Sequence, residues 1–295
     1  MSSADEASPT QGRMRYRSVF APGLFEGQVV LVTGGGSGIG RCTAHELASL
    51  GAHVVLVGRK LDKLQAVAAE IAEDGGNVST HVCDIRQEEA VRAMVAAVLA
   101  AQGHIDALVN NAGGQFMTPL EAISAKGWEA VVNTNLTGGF LVARECFTQC
   151  MARRGGAIIN IVADMWGSMP GMGHSGAARA GMVSFTETAA VEWGPRGVRV
   201  NAVAPGYVAS SGMDNYPEAM APMIREMAKT LPIGRFSTEA EVSAGIVYLQ
   251  AEEVAEAAGG FEHPSGVVTQ AKHGAHHDFR RKHLAEHGDI KGGRG

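Results

Sequence analysis

The stretch that decides the fold is VVLVTGGGSGIG, which runs from Val29 to Gly40. Its first five residues form an apolar, β-branched run of the kind that builds a buried strand. A helical pattern begins within the glycines and continues to Leu50. A strand that turns directly into a helix predicts the first half of a βαβ unit, the building block of parallel sheets.

The glycines between this strand and this helix predict a nucleotide site. Backbone N–H groups at a helix N-terminus attract phosphate, and glycine lets a ligand approach the backbone closely. We interpret Gly34 as the turn residue, Gly38 as the point of close approach and Gly40 as the position where helix and sheet pack. Ser37 and Ile39 lie between these glycines and are predicted to contact the nucleotide as well.

Further apolar runs follow, and helical patterns separate them. Continuous apolar strands that alternate with helices predict a parallel sheet covered on both faces, because every parallel crossover needs a helix. The expected fold is therefore α/β, a doubly wound, Rossmann-like parallel sheet in a single domain. The predicted strands after the first are His53–Val57, Val78–Ile85, Ala107–Asn110, Ala157–Val162 and Val198–Ala204.

The ends of the chain differ from this pattern. We predict a polar N-terminal tail over residues 1–25, the α/β domain over residues 26–271, and a tail rich in His and Arg over residues 272–295. The second tail is predicted to be disordered, because so few apolar residues cannot offset the entropy of ordering.

Composition excludes several function classes. The chain has 295 residues, is 45% hydrophobic and 19% charged, and carries a formal net charge of −5, which predicts a soluble globular protein without a nucleic-acid footprint. No apolar run is long enough for a membrane span, and the N-terminus lacks a secretory signal, so a cytoplasmic location is expected. The four cysteines form no Cys-x-x-Cys pair, and no metal site is predicted.

A dinucleotide bound at such a glycine turn reaches the end of the second predicted strand, and the residues there indicate which dinucleotide is preferred. An acidic residue there would bind ribose hydroxyls and repel a 2′-phosphate, but this chain has Gly58 followed by Arg59 and Lys60. Because a guanidinium grips phosphate through two hydrogen bonds, the sequence favours NADP(H), with NAD(H) as the alternative.

The GxxxGxG spacing of Gly34 to Gly40 and the NNAG motif at Asn110 to Gly113 resemble the short-chain dehydrogenase/reductase family. NLTG at Asn135 to Gly138, Asp84 and Pro205-Gly206 support this resemblance, which covers roughly residues 26–251. It implies an oxidoreductase that binds a nicotinamide dinucleotide. By the same resemblance, Asp84 and Ile85 flank the adenine. The other implied coenzyme contacts are Asn111, Ala112, Gly113, Arg179, Pro205 and Gly206.

The chain departs from the family at the catalytic pair. Most members carry Tyr-x-x-x-Lys, in which the ammonium lowers the pKa of the phenol that exchanges the proton. None of the four tyrosines here has a lysine four residues later, and no lysine occurs between Lys126 and Lys229. Alignment of HSGAARAGM places Ser175 at the tyrosine position and Arg179 at the lysine position. Arginine keeps the positive charge, but it does not exchange protons near neutral pH.

Other residues are therefore candidates for the chemistry. Asn135 matches the family's active-site asparagine, and His174, next to Ser175, is a candidate proton donor. Asp164 follows the fifth strand, where the family places a substrate-polarising serine. Tyr207 follows Pro205-Gly206 and is a candidate hydrogen-bond donor near the nicotinamide.

Two subgroup resemblances compete. GGQF at 113–116, NLTGGF at 135–140 and HSGAARAG at 174–181 resemble peroxisomal-type trans-2-enoyl-CoA reductases and, more loosely, 2,4-dienoyl-CoA reductases, which send a hydride to the β-carbon of a conjugated thioester. The stretch 161–182 also resembles bacterial citronellol/citronellal dehydrogenases of acyclic terpene catabolism. A third interpretation is a nucleotide-binding sensor or scaffold without catalysis. The expected partner of the first two is an apolar acyl-CoA or terpenoid.

The resemblance also implies self-association. The helices over residues 135–154 and 175–193 are expected to pair subunits into a homodimer or homotetramer. The family usually closes its sheet with a seventh strand followed by VDGG, but SGVVTQAKHG at Ser265 to Gly274 departs from that motif. We expect a short edge strand at Val267 to Thr269, and we interpret the departure as a frameshifted or truncated C-terminus.

Overall fold

A computed structural model describes residues 20–210, 221–251 and 268–271. Its main sheet has seven parallel strands in the order β3-β2-β1-β4-β5-β6-β9. A two-stranded sheet pairs β7 with β8. The strands are β1 Val29–Thr33, β2 His53–Gly58, β3 Asn77–Val82, β4 Ala107–Asn110, β5 Gly156–Ile161, β6 Val198–Pro205, β7 Val208–Ala209, β8 Ser237–Thr238 and β9 Val268–Ala271.

Helices cover both faces of the main sheet. They are α1 Gly38–Ser49, α2 Leu61–Glu73, α3 Glu88–Gln102, α4 Ala125–Val132, α5 Gly138–Cys146, α6 Ala152–Arg154, α7 Gly173–Trp193, α8 Ala221–Thr230 and α9 Glu239–Gln250. π-helical turns at Asn133–Thr137 and Phe147–Met151 precede and follow α5. Short 3₁₀ turns lie at Leu120–Ala122 and Gly194–Arg196.

The doubly wound α/β fold predicted from the sequence is confirmed, and the predicted strands coincide with β1 to β6 to within a few residues. The third prediction, Val78–Ile85, runs too far, because β3 ends at Val82. The Asp84 carboxylate accepts the backbone N–H of Arg86 at 3.1 Å, and this local bond closes a turn in place of strand pairing. The edge strand predicted at Val267 to Thr269 corresponds to β9, which runs two residues further, to Ala271, and pairs with β6; Val267 lies outside the described residues.

Alternate residues of each strand pack on opposite faces of the sheet. Val30 and Val32 of β1 face α1, α2 and α9, whereas Leu31 faces α3, α5 and α7. Phe25, ahead of β1, is 1% exposed and belongs to the first of these cores. The domain boundary at residue 26 stays a prediction, and the tail at 272–295 lies outside the described residues. No helix in the described ranges has the length and apolarity needed to span a membrane.

The strand order places a ligand crevice at one edge. From β1 the chain winds outward to β2 and β3, and then returns to place β4 on the other side of β1. Helices that start at β1 and β4 therefore leave in opposite directions, and a crevice opens at the carboxyl ends of these two strands. The glycine turn after β1 and the segment after β4 border that crevice.

A row of buried, hydrogen-bonded side chains connects the sheet to α7 below this crevice. Asn160, fully buried in β5, accepts a hydrogen bond from Asn110 Nδ2 at 3.0 Å and donates to Thr186 Oγ1 at 2.9 Å. Thr186 in turn donates to the Met182 carbonyl at 2.8 Å. Because buried polar groups are costly without partners, this row of hydrogen bonds fixes the rotation of α7 over β4 and β5.

We expect Asn160→Ala to lower the free energy of unfolding by about 2–4 kcal/mol, because it removes two buried hydrogen bonds and leaves a cavity. Thr188→Ala is the control, since Thr188 lies on an exposed part of α7 and should change stability by less than about 0.5 kcal/mol. Urea denaturation measures both. A decrease in the free energy of unfolding below about 1 kcal/mol for Asn160→Ala would contradict a stabilising role of these buried hydrogen bonds.

Candidate active site

The turn after β1 has the backbone that the glycines predict. Gly34 and Gly38 have φ angles of +68° and +60°, in the region that favours glycine. A Cβ on Gly40 would collide with the Gly34 carbonyl oxygen and with Asn111 Nδ2. Gly40 therefore allows α1 to begin directly against the turn, with its N-terminus at the crevice. Ser37, at this N-terminus, is exposed and Ile39 is half-buried.

Thr33, a residue that sequence reasoning missed, joins this turn to β4. Its Oγ1 donates to the Val109 carbonyl at 3.3 Å and accepts the backbone N–H groups of Asn111 and Ala112, each at 3.0 Å. The Asn111 side chain donates to the Thr33 and Gly34 carbonyls at 3.0 and 3.4 Å. Asn111 therefore holds the glycine turn, and its amide group is already engaged there.

The other end of the crevice carries charged residues. Arg59 and Lys60 are exposed at the end of β2. Asp84 after β3 pairs with Arg86, whose Nε lies 2.8 Å from Asp84 Oδ1. This hydrogen-bonded guanidinium, helped by the more distant charge of Arg59, holds the pKa of the Asp84 carboxyl below its usual range. Ile85 is buried against Gly138. Arg86 was not predicted.

An open cleft of about 810 Å³ lies against the glycine turn. Ser37 and Gly38 form one side of it, and Ala209 and Ser210, which follow β6, form another. Lys63 of α2 and Phe236 also line it. The cleft therefore joins the turn after β1 to the segment that follows Pro205, the last residue of β6, and Gly206.

Ser175 and Arg179 occupy the first turns of α7, and both are buried. The Ser175 hydroxyl donates to Gln115 Oε1 at 3.2 Å. Arg179 donates through Nη1 to the Ile161 carbonyl at the end of β5. A Cβ on Gly113 would lie 2.5 Å from Arg179 Nη2 and 3.0 Å from Asn135 Oδ1, so only glycine fits between these groups. Gln115, exposed on the segment after β4, was missed because nothing in its sequence context signals this contact.

Burial affects the charge on Arg179 without removing it. Loss of water around the guanidinium lowers the pKa of Arg179 to about 10, so the group stays protonated near neutral pH. Within the residues that the structure describes, Arg179 Nε is buried without a hydrogen-bond partner. The site thus contains a fixed positive charge with an unused donor.

Asn135 lies on the π-helical turn and is 2% exposed. Its side chain accepts the Gly114 N–H and donates to the Gly114 carbonyl, both at 2.9 Å. This pair of bonds fixes the backbone next to Gly113 and Gln115. Asn135 thereby positions the segment after β4 opposite α7.

His174 is fully buried, and its Nδ1 accepts the Ser175 N–H at 2.9 Å. Asp164 is half-buried after β5, and its backbone N–H donates to the Pro205 carbonyl at 3.3 Å. Tyr207 is 47% exposed, and its ring packs against Phe236 with 5.7 Å between centroids. Of these three predicted residues, His174 therefore lies directly beside the Ser175–Gln115 pair.

A sequence profile described as short chain dehydrogenase matches residues 28–221. The chain belongs to the short-chain dehydrogenase/reductase family. It is 37% identical over 232 residues to a Bacillus subtilis (strain 168) protein named probable 2,4-dienoyl-CoA reductase, (2E)-enoyl-CoA-producing, with 77% of this chain and 91% of the relative covered.

Two solved structures in the same family extend the comparison. One is named citronellol catabolism dehydrogenase (AtuB) from Pseudomonas aeruginosa PAO1; it is 57% identical, has a TM-score of 0.75, and the match covers 86% of this chain and 98% of that one. The other, an actinorhodin polyketide ketoreductase with NADPH, is 29% identical with a TM-score of 0.75, and the match covers 85% and 98%.

The family binds NAD(P), and the residues here fit such a coenzyme. The glycine turn leaves no Cβ between the N-terminus of α1 and a pyrophosphate, and the buried Arg179 Nε offers a hydrogen bond that a ribose hydroxyl would accept. The turn after β1 and Arg179 would therefore hold opposite parts of the dinucleotide.

We expect Gly40→Ala to weaken NADPH binding at least about 10-fold, because the new methyl group must displace the Gly34 carbonyl and so distort the pyrophosphate turn. Gly245→Ala in α9 is the matched control, since a Cβ there meets nothing within 4 Å. Calorimetric titration with NADPH measures both variants. Unchanged affinity in Gly40→Ala would mean that the turn does not bind the coenzyme.

Proposed function

We propose that this protein is an NADP(H)-dependent reductase that reduces the conjugated double bond of 2-enoyl-CoA thioesters. The observation that carries the proposal is the pair of residues at the catalytic positions, Ser175 and Arg179. Both are hydrogen-bond donors, and neither exchanges a proton readily near neutral pH. Such a site suits a reaction in which charge develops on an oxygen but the proton goes to carbon.

Conjugate reduction has this requirement. When bound, NADPH supplies the hydride, which adds to the β-carbon of the enoyl group. The electron pair of the double bond moves onto the thioester oxygen as the coenzyme is oxidised to NADP⁺. Later protonation of the α-carbon gives the saturated thioester. Preorganised donors at that oxygen lower the barrier, whereas a phenol tuned to titrate is not required.

Gln115 is the donor that we assign to the thioester oxygen. A serine side chain is several ångströms shorter than a tyrosine, so the Ser175 hydroxyl alone does not reach as far as a phenol would. By donating to Gln115 Oε1, Ser175 orients the Gln115 amide and leaves its two N–H donors for the substrate. The carboxamide thus extends the reach of the serine.

Arg179 supplies a charge that does not depend on pH in the working range. Its guanidinium lies beside Gly113 and is anchored to the Ile161 carbonyl. In a buried site the positive charge stabilises a developing oxyanion more than it would in water. Asp164 and Tyr207 remain candidates for delivering the proton to the α-carbon.

The named relative supports the acyl-CoA class, since a protein 37% identical across 91% of its length is named a dienoyl-CoA reductase. Methionines near the site suit an extended apolar chain, because their side chains adapt to ligand shape. Met169 packs against Gly176 of α7, and Met117 lies near Gly171.

The test is oxidation of NADPH with crotonyl-CoA and decenoyl-CoA, followed at the nicotinamide absorbance band. We expect turnover with both thioesters, and Gln115→Glu, which keeps the shape but removes the amide donors, should lower kcat about 100-fold. Ser175→Ala should lower kcat less, about 10-fold, because it only loosens Gln115. Full activity in Gln115→Glu would remove Gln115 from the mechanism.

A second candidate is oxidation or reduction at a terpenoid alcohol or aldehyde, as in a citronellol/citronellal dehydrogenase. The 57% identity to the structure named citronellol catabolism dehydrogenase favours it. Citronellal and citronellol therefore belong in the same assay. Tight NADPH binding without turnover of any of these compounds would instead favour a nucleotide-binding sensor.

We propose NADP(H) over NAD(H) because Arg59 is exposed directly after β2, at the position where an acidic residue would repel a 2′-phosphate. Arg59→Ala should lower kcat/KM for NADPH about 10- to 100-fold, through loss of charged hydrogen bonds to the 2′-phosphate, and should leave NADH little changed. Arg153→Ala, at an exposed position in α6, is the control. A wild-type preference for NADH would contradict this assignment.

Self-association through α5 and α7 and a cytoplasmic location belong to the same proposal. Phe140 on α5 is 37% exposed and packs edge-to-face on Phe185 of α7. Val191, further along α7, is 51% exposed. These apolar groups on the two helices support a subunit contact there.

A further inference from the structure

The His174 imidazole has an N–H donor without a role in the chemistry proposed above. Because Nδ1 accepts the Ser175 N–H, the neutral ring carries its proton on Nε2. That atom is buried in a side chain with 0% exposure and has no hydrogen-bond partner within the described part of the chain. A buried N–H without an acceptor is unfavourable, so an acceptor from outside the protein would relieve it.

Phe116 covers this imidazole. The two rings are perpendicular with 4.4 Å between their centroids, and the Phe116 side chain is 42% exposed. An aromatic ring is a much weaker acceptor than a carbonyl oxygen. The space that the half-exposed Phe116 ring fills beside the buried imidazole is therefore a position that a ligand carbonyl can take.

The segment after β4 and the start of α7 contact each other at two adjacent positions, and between them they carry the Gln115 amide and the His174 N–H. Gln115 contacts Ser175, and the next residue, Phe116, contacts His174. A ligand oxygen that takes the place of the Phe116 ring beside His174 would therefore lie next to the residue that carries the Gln115 amide. Two donors on one oxygen form an oxyanion hole.

We propose that His174 Nε2–H binds the carbonyl oxygen of the substrate after the Phe116 ring moves aside, and so completes an oxyanion hole with Gln115. This inference rests on the proposed function, since it assumes a carbonyl-bearing substrate. It assigns His174 a role as a hydrogen-bond donor, in place of the proton donor considered from the sequence.

The test measures binding by the holoenzyme with saturating NADP⁺. Hexanoyl-CoA is the carbonyl probe, and S-hexyl-CoA, a thioether of the same length, lacks the carbonyl. His174→Asn keeps an acceptor for the Ser175 N–H but removes the distal donor, whereas His174→Gln places an amide N–H near the Nε2 position. We expect His174→Asn to weaken hexanoyl-CoA binding about 10-fold and S-hexyl-CoA binding less than about 2-fold, with affinity for hexanoyl-CoA restored in His174→Gln.

Histidine labelled with ¹⁵N gives an independent measurement. The Nε2–H signal that disappears in His174→Asn should shift when hexanoyl-CoA is added to wild-type holoenzyme and stay in place with S-hexyl-CoA. Equal losses for both ligands in His174→Asn, or no loss for either, would overturn the inference, since a purely structural histidine does not distinguish a carbonyl from a methylene.

The ligands that the wild type binds test the proposed function independently of the His174 variants. If the wild type binds citronellal but neither CoA compound, the thioester proposal fails, and the same variants are compared with citronellal and its hydrocarbon analogue 2,6-dimethyloct-2-ene. Selective loss of citronellal binding in His174→Asn would then support the His174 assignment. Failure of the wild type to bind any carbonyl ligand would overturn both.

Discussion

The site depends on the junction between the parallel neighbours β1 and β4, where a single hydroxyl joins the two strands from which the chain winds in opposite directions. Thr33 Oγ1, at the end of β1, bonds the Val109 carbonyl and the Asn111 N–H on the β4 side, and the Asn111 side chain donates back to the Thr33 carbonyl. These bonds hold the Gly34 carbonyl so close to Gly40 that no side chain fits. The crevice, the start of α1 and the segment that carries Gln115 are all fixed from this point.

The fold was predictable because its signal is local and repeated. Each central strand is a continuous apolar run, and the glycine turn lies at the one strand end that must reverse directly into a helix. The end of β3 was not predictable, since its last apolar residues belong to a turn closed by Asp84 and Arg86. That bond depends on a side chain whose direction the hydrophobic pattern does not report.

The site was predictable only where a motif specifies a backbone. Ser175 and Arg179 were assigned by alignment, and both are buried at the start of α7; their catalytic role stays a prediction. Their partners were not assigned in this way, because the contacts to Gln115 and the Ile161 carbonyl join segments 60 and 18 residues apart. Asn111 shows the converse: the family resemblance implied a coenzyme contact, while its side chain donates to the Thr33 carbonyl in the turn. That the other predicted coenzyme residues contact the dinucleotide stays a prediction.

The unsatisfied donors near the start of α7 connect stability to function. Arg179 Nε and His174 Nε2 are both buried without partners in the described residues, and each such group costs about 1–3 kcal/mol. A protein core would normally replace them with apolar groups, so their cost is consistent with ligands that satisfy them. Ligands that bind only the folded state stabilise it, by about 2.7 kcal/mol at 100 times Kd. Because the two donors lie five residues apart on one helix, coenzyme at Arg179 and substrate at His174 would both stabilise α7.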